Sequence, residues 1–291
     1  FDFAEKVGTM DRLNLLTILT VVDIRAVGPG VWNGWKAQLL RDLYQATAAV
    51  LRGGEKRDEA EARARLADRA AIARDHFQNA LSRIDPEFTR IWTEVLDTSY
   101  WLAFGEDDRF RHAAFARAAF EREQATSVGV RTDKRRSATE VMVLTPDRHG
   151  LFADIAGALS NEGANVVGAQ VTTTSDGRAF DVFYVQEQGG RPFGWSDSFT
   201  QDRLRDSVQR AAEHGLSEDD ARVSLKPLRR REAAFTVTPS VNLDQQASDT
   251  ALVIEATGRD RPGLLHALAK TLSDIGLSLE AARIDGYGER A

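Results

Sequence analysis

With 291 residues, 42% of them apolar, the chain has material for two or three ordinary cores, and its 38 basic against 44 acidic side chains leave a formal charge of −6. That balance offers no attraction for a phosphate backbone or an anionic bilayer, so neither nucleic acid nor membrane is an expected partner. The absence of cysteine excludes disulfides, zinc–thiolate sites and thiol nucleophiles and is what a reducing cytoplasm permits. No apolar run approaches the roughly 20 residues of a membrane span, and no cleavable signal opens the chain.

In chain order, Leu15, Ile18, Leu19 and Val22 fall three and four apart, which predicts a helix over 10–23 with that stripe buried. Gly28-Pro29-Gly30 breaks it, and Trp35, Leu39 and Leu43 mark a second helix ending near Gly53-Gly54. Residues 55–81 are dense in Arg, Glu, Asp and Ala, with a thin apolar line through Leu66, Ala70, Ala73 and Phe77, and predict a long, largely solvated helix. Asp85-Pro86 supplies an N-cap and a first-turn proline for another helix, with Phe88, Ile91 and Val95 inward. Helical character persists to about Phe120; then Arg131 to Arg136 reads as a charged linker, and a domain boundary is expected there. Beyond it, strands around Val141 and Val143, around Val167 to Val171, and from Phe180 to Val185 alternate with helices on Leu151, Ile155, Leu159 and from Phe199 to His214. Asp176-Gly177 is a hairpin turn, and an extended run at Phe235 to Val237 would complete a β-α-β-β-α-β unit.

A repeat organises the second half. Shifting the sequence by 113 positions lays Asp147, Arg148, Gly150, Leu151, Ala156, Leu159, Ser160, Gly163 and Ala169 on Asp260, Arg261, Gly263, Leu264, Ala269, Leu272, Ser273, Gly276 and Ala282 without a gap. The second copy reaches Ala291 where the first is entering its third strand. With Phe1 in place of an initiator Met, both ends are expected to be cuts in a longer protein. The expected organisation is a helical domain tail at 1–54, a helical connector at 55–135, one whole module at 136–245 and a shortened one at 250–291.

In both copies a strand runs into Asp-Arg-x-Gly-Leu and then a helix: Asp147 to Leu151, and Asp260, Arg261, Pro262, Gly263, Leu264. The first-turn amides of such a helix have no partner inside it, and its dipole adds partial positive charge, so a small carboxylate can dock there. Glycine lets a ligand approach the backbone. Asp147 or Asp260 can either cap the helix or hold a ligand ammonium, and the two roles together describe an amino acid. His149 sits inside the first loop, and Asn165, taken to lie beside it at the next strand's start, can add an amide contact.

These segments resemble ACT domains, βαββαβ modules of ferredoxin-like form whose family binds amino acids at this loop, commonly between modules. In tandem, with Thr145-Pro146-Asp147-Arg148-His149-Gly150-Leu151-Phe152 and Asp176-Gly177-Arg178-Ala179-Phe180-Asp181-Val182-Phe183, they resemble the uridylyltransferase/uridylyl-removing family. The resemblance implies glutamine as effector, contacted by Asp147, His149, Gly150, Leu151 and Asn165 and by Asp260, Pro262, Gly263 and Leu264.

At the other end, Asp23 shares the Leu15–Leu19 stripe, where a carboxylate costs several kcal/mol unless it is paired, hydrogen-bonded or on a metal. The stretch Leu19 to Ala26, followed by Gly28-Pro29-Gly30-Val31-Trp32-Asn33-Gly34-Trp35-Lys36, is similar to the end of the HD phosphohydrolase domain of the same family. That similarity implies Asp23 as a ligand of a divalent metal, Mg or Mn. The histidines His76, His112, His149, His214 and His266 show no metal-ligand spacing and read, His149 apart, as surface or capping residues. No nucleotidyltransferase motif is present, so no catalytic residue is assigned within this chain, which is expected to be silent on its own.

The resulting expectation is an α+β chain, the end of an HD domain, a helical connector and tandem ACT modules. Its parent, cytoplasmic, would transfer UMP from UTP to the nitrogen-regulatory protein PII and remove it again under glutamine control. A guanosine tetraphosphate synthetase/hydrolase, which also joins HD and ACT parts, and a non-enzymatic ACT-repeat sensor are the rival readings.

Overall fold

The computed structural model describes residues 2–27, 32–52, 59–217, 237–244, 252–259, 263–279 and 284. Seven helices come first: α1 (Asp2–Val7), α2 (Met10–Val27), α3 (Gly34–Arg52), α4 (Glu59–Leu81), α5 (Pro86–Val95), α6 (Thr98–Ala103) and α7 (Glu106–Glu121). They are followed by β1 (Ser127–Asp133), β2 (Ala138–Pro146), α8 (Leu151–Asn161), β3 (Asn165–Gln170), β4 (Arg178–Gln186) and α9 (Ser198–His214), and then by β5 (Ser240–Asp244), β6 (Val253–Thr257) and α10 (Leu264–Asp274). Helices and antiparallel sheets thus share the chain, an α+β architecture.

The four-stranded sheet has the order β1-β2-β4-β3, with every neighbouring pair antiparallel. Both of its faces are covered. Val141, Val143, Phe183 and Val185 point to one side, where Leu151, Ile155 and Leu159 of α8 and Leu204 and Val208 of α9 complete a core. Met142, Leu144, Phe180 and Val182 point to the other, against Phe77, Trp92, Tyr100 and Trp101 of α4, α5 and α6. Alternate side chains of one strand serve the two cores, which is why β2 is buried from Ala138 to Thr145.

Two sequence expectations change here. The charged stretch 131–136 is not a linker: it is the end of β1 and the hairpin turn into β2, with Ser127 opposite Leu144 and Asp133 opposite Ala138. The sheet therefore begins at Ser127, upstream of the boundary expected at 136. The helix expected to be largely solvated, whose described part is α4, is likewise packed: Phe77 joins Trp92, Tyr100 and Trp101 in roofing one face of the sheet. The charged members of β1 read as surface residues, yet pairing with β2 brings Glu140 to Arg131, and Arg136, three positions on in the turn, closes on Asp133. Of the closing strand expected at 235–237, Phe235 and Thr236 lie outside the described residues and Val237 is irregular; the sheet edge beside β2 is held by β1.

The repeat extends to this added strand. β5 pairs with β6 so that Ser240 faces Thr257 and Val241 faces Ala256, each partner 113 residues after Ser127–Leu144 and Val128–Val143. Gly150 and Gly263 both stand at helix N-caps with φ of +80° and +81°.

The helical layer is welded to the sheet by charge. Arg136 reaches Asp108 with both terminal nitrogens, at 3.1 and 2.7 Å, and Asp133 at 2.7 Å. Glu140, fully buried, accepts from Arg131 at 2.9 Å and from the Tyr184 hydroxyl at 3.4 Å and lies 3.7 Å from His112. Burial alone would raise the carboxyls of Asp108 and Glu140; for Asp108 the bonds and charges of Arg136 and Arg111 outweigh it and hold the group at about 2, and for Glu140 His112, Arg111 and Arg131 lower it. His112 is therefore a core residue bonded to Tyr100 at 3.2 Å, not the surface group its spacing suggested.

Candidate amino-acid site

A cavity of about 160 Å³ opens where β2 ends and α8 begins. An apolar cavity of about this size takes one benzene-sized guest, so the space suits a single small metabolite. Its wall is formed by the loop from Asp147 to Gly150 and the first turn of α8, by Val171 and Thr173 after β3, by Ala179 and Asp181 of β4, and by Ala269, Ser273 and Leu277 to Leu279 from the second repeat.

Each part follows from local sequence. Gly150 adopts the left-handed conformation that a Cβ disfavours, turning the chain from strand into helix. No side chain caps α8, so the two roles left open for Asp147 resolve against the cap: its carboxylate accepts from Thr173 Oγ at 3.4 Å and its amide donates to the Gly177 carbonyl at 3.0 Å. Phe152 and Ala153 sit in the first turn, where the helix provides no acceptor for their amides, and both line the cavity. Arg148 faces away in function: it donates to Asp154 at 2.7 Å and to the Ala211 carbonyl at 2.8 Å, tying α8 to the end of α9.

The second repeat closes the site. α8 and α10 pack antiparallel: His149, before α8, contacts the Ser273 carbonyl at 2.9 Å and its hydroxyl at 2.8 Å near the end of α10. His266, in the first turn of α10, contacts the Ala153 carbonyl at 2.7 Å. The residues joined by that last contact are repeat counterparts, 113 positions apart, so the helix pair is approximately two-fold symmetric. His266 is buried by this packing, contrary to the surface role expected of it.

Asn165 is not brought to the loop. β2 and β3 are both antiparallel to β4 and so run parallel to each other, which places the start of β3 at the opposite end of the sheet from the end of β2. Asn165 faces Gln186, whereas Pro146 faces Arg178. Its repeat counterpart Ser278 does line the cavity, from the other module. In the second loop Gly263 and Leu264 repeat the geometry of Gly150 and Leu151, while Asp260 and Pro262 lie outside the described residues.

Asp181 is the cavity residue that motif reading passed over. It is 1% exposed, accepts one hydrogen bond, from the Thr172 amide at 3.3 Å, and has no cationic partner among the described residues. Burial pushes its carboxyl up to about 7; the Thr172 amide opposes the rise and the charge of Asp147 adds to it. The available signal was its register: Ala179, Asp181, Phe183 and Val185 share one face of β4, and a carboxylate within an otherwise apolar inward row calls for a partner.

The candidate metal ligand fares differently. Asp23 is exposed on α2, and so are Leu15, Ile18, Leu19 and Val22, between 55% and 61%. The packed side of α2 is instead the one carrying Met10 and Leu13, against Tyr44, Ala48 and Leu51 of α3. An apolar helix presents two candidate stripes, and periodicity cannot choose between them. No group of three or more His, Cys, Asp or Glu among the described residues can hold a metal, so these residues do not build the implied site, and Asp23 can furnish at most one ligand. Gly28 to Val31 lie outside the described residues. The rest of that run docks on the sheet: Asn33 accepts from the Lys36 amide at 3.0 Å to start α3, Trp35 stacks obliquely on Tyr184 at 5.2 Å, and a Cβ on Gly168 of β3 would stand 2.4 Å from the Trp35 ring.

Residues 139–192 match the ACT domain. The chain is 48% identical over 290 residues to the bifunctional uridylyltransferase/uridylyl-removing enzyme of Caulobacter vibrioides, a match covering 99% of this chain and 30% of that enzyme. The chain is a homologue of these enzymes over its whole length. The corresponding enzyme of Phenylobacterium zucineum is 48% identical over 291 residues and that of Rhodospirillum rubrum 39% over 290, with 30% of each enzyme covered. The chain thus spans about a third of the length of the curated relatives it matches. No solved structure matches. Among the described residues no helix is long and apolar enough to cross a membrane.

Proposed function

We propose that this chain is the amino-acid-sensing region of a cytoplasmic enzyme that attaches UMP from UTP to the PII protein and removes it again, and that glutamine in the cavity favours removal. The observation that carries the reading is an uncapped, glycine-turned helix start facing a half-enclosed cavity between two copies of the same module. The activities by which the relatives are named support the uridylyl chemistry, and the divalent metal of the removing activity would draw its ligands mainly from outside this chain, Asp23 supplying one.

A ligand shifts activity only if it binds one arrangement better than another. The strand β3 offers a route for such bias, since its end supplies Val171 and Thr173 to the cavity while Gly168 lies under Trp35 at the start of α3. The test is glutamine titration of the full-length parent with UMP removal as readout. Stimulation is expected, and it should be lost in Asp23→Ala, with UMP transfer retained. Removal that ignores glutamine, or equal loss of both activities in Asp23→Ala, overturns the reading.

A further inference from the structure

We infer that Asp181 is the residue that receives the ligand's α-ammonium group, which makes the cavity selective for free α-amino acids over the corresponding acids. The inference rests on the sensing role proposed above and goes beyond it by naming the recognition chemistry. The cavity is polarised. At one side the first-turn amides of Phe152 and Ala153 suit a carboxylate. On the floor Asp181, 1% exposed, supplies acceptor capacity that one long hydrogen bond leaves mostly unused.

The other charged groups around the cavity cannot serve Asp181. Arg148 is committed to Asp154 and the Ala211 carbonyl, and His149 to Ser273. Arg178, next along β4 before Ala179, pairs with Asp176. Asp147 lines the same space and repels a second negative charge. The residues paired or adjacent to Asp181 on β2 and beyond β3, Val143 and Thr172, are uncharged. α10 contributes only Ala269 and Ser273. A buried carboxyl without a cation costs free energy, and a guest carrying one relieves that cost. Because burial raises this carboxyl to about 7, the guest also drives a proton off it wherever the empty site is protonated.

The experiment is calorimetric titration of the 291-residue chain with L-glutamine and with glutaramate, the same molecule lacking the α-amino group. The wild type should prefer glutamine by about tenfold or more, the worth of a charge-assisted hydrogen bond, and Asp181→Asn should bring the two within about twofold. At pH 6 the wild-type heat of glutamine binding should vary with the buffer's ionisation enthalpy, reporting proton release, and that variation should vanish in Asp181→Asn. The wild-type pH arm does not depend on how well the variant folds. A variant that keeps the tenfold preference, or wild-type heats independent of buffer at pH 6, overturns the role of Asp181 while leaving the sensing site standing. Binding of neither compound by the wild type overturns both.

Discussion

The two faces of the four-stranded sheet treat buried charge in opposite ways. Toward the helical layer, Asp108, Asp133 and Glu140 all meet guanidinium groups from Arg136, Arg131 or Arg111, and the cluster holds α7 against β1 and β2. Toward the second module, Asp181 is at least as deeply buried as Asp108 and has no cation among the described residues. Paired charge on one face fixes structure; unpaired charge on the other leaves work for a guest. The free energy of the two arrangements differs accordingly, since removing one member of a buried pair strands the other, whereas neutralising an unpaired buried carboxylate removes a cost.

The sharpest way to break the comparison is Arg136→Ala, which takes the shared guanidinium from Asp108 and Asp133, leaving Asp108 with Arg111 and Asp133 with two backbone amides, and should destabilise the chain by about 3 kcal/mol in urea denaturation. Arg136→Lys should restore only part of this, because an ammonium cannot span both Asp108 oxygens. A loss below about 1 kcal/mol would mean that the cluster is solvated and carries little.

On the other face, Asp181→Asn should stabilise at pH 8 by an amount on the order of 1–3 kcal/mol. Here the folded-state carboxyl is raised above its unfolded value, so the native state holds the extra proton; wild-type stability from this group is full below about pH 4 and is lost as pH rises through about 7. The variant should lack that decline. Asp108 has the reverse sign: its lowered carboxyl gives stability above about pH 4 that disappears as pH falls toward about 2. Urea midpoints across pH 3–8 for wild type and variant separate the two trends.

Gly150→Val places a branched side chain at a φ of +80°, which should cost about 1–3 kcal/mol of stability and weaken glutamine binding. Unchanged calorimetric affinity would count against this loop. The smallest effect is expected at an ordinary cap: Asp85→Ala removes the acceptor of the Phe88 amide and should cost about 1 kcal/mol in urea denaturation.

How much of this was legible beforehand depended on whether the deciding partner was near in sequence. The Asp85-Pro86 helix start, the Asp176-Gly177 turn and the Gly150 and Gly263 turns are local, and they appear where their residues place them. The strand at 127–133 is hard to read because Arg131 and Asp133 look like surface residues until pairing with β2 covers them and brings Glu140 to Arg131. Periodicity does not separate the outward stripe of α2 from the inward one because both sides of that helix are apolar. Asn165 lies at the other end of the sheet because strand direction is a property of pairing, and although register marks Asp181 as an inward carboxylate, only the packed structure shows that no cation among the described residues meets it.

By itself the sequence determined the repeat, the glycine-opened helix starts and the alternation of strand and helix, for these depend on backbone preferences and on residues a few positions apart. Only the tertiary structure decided which faces are buried, that the aromatic helices roof the sheet, and that α10 closes the cavity over α8, since each of these turns on contacts between segments tens to more than a hundred residues apart.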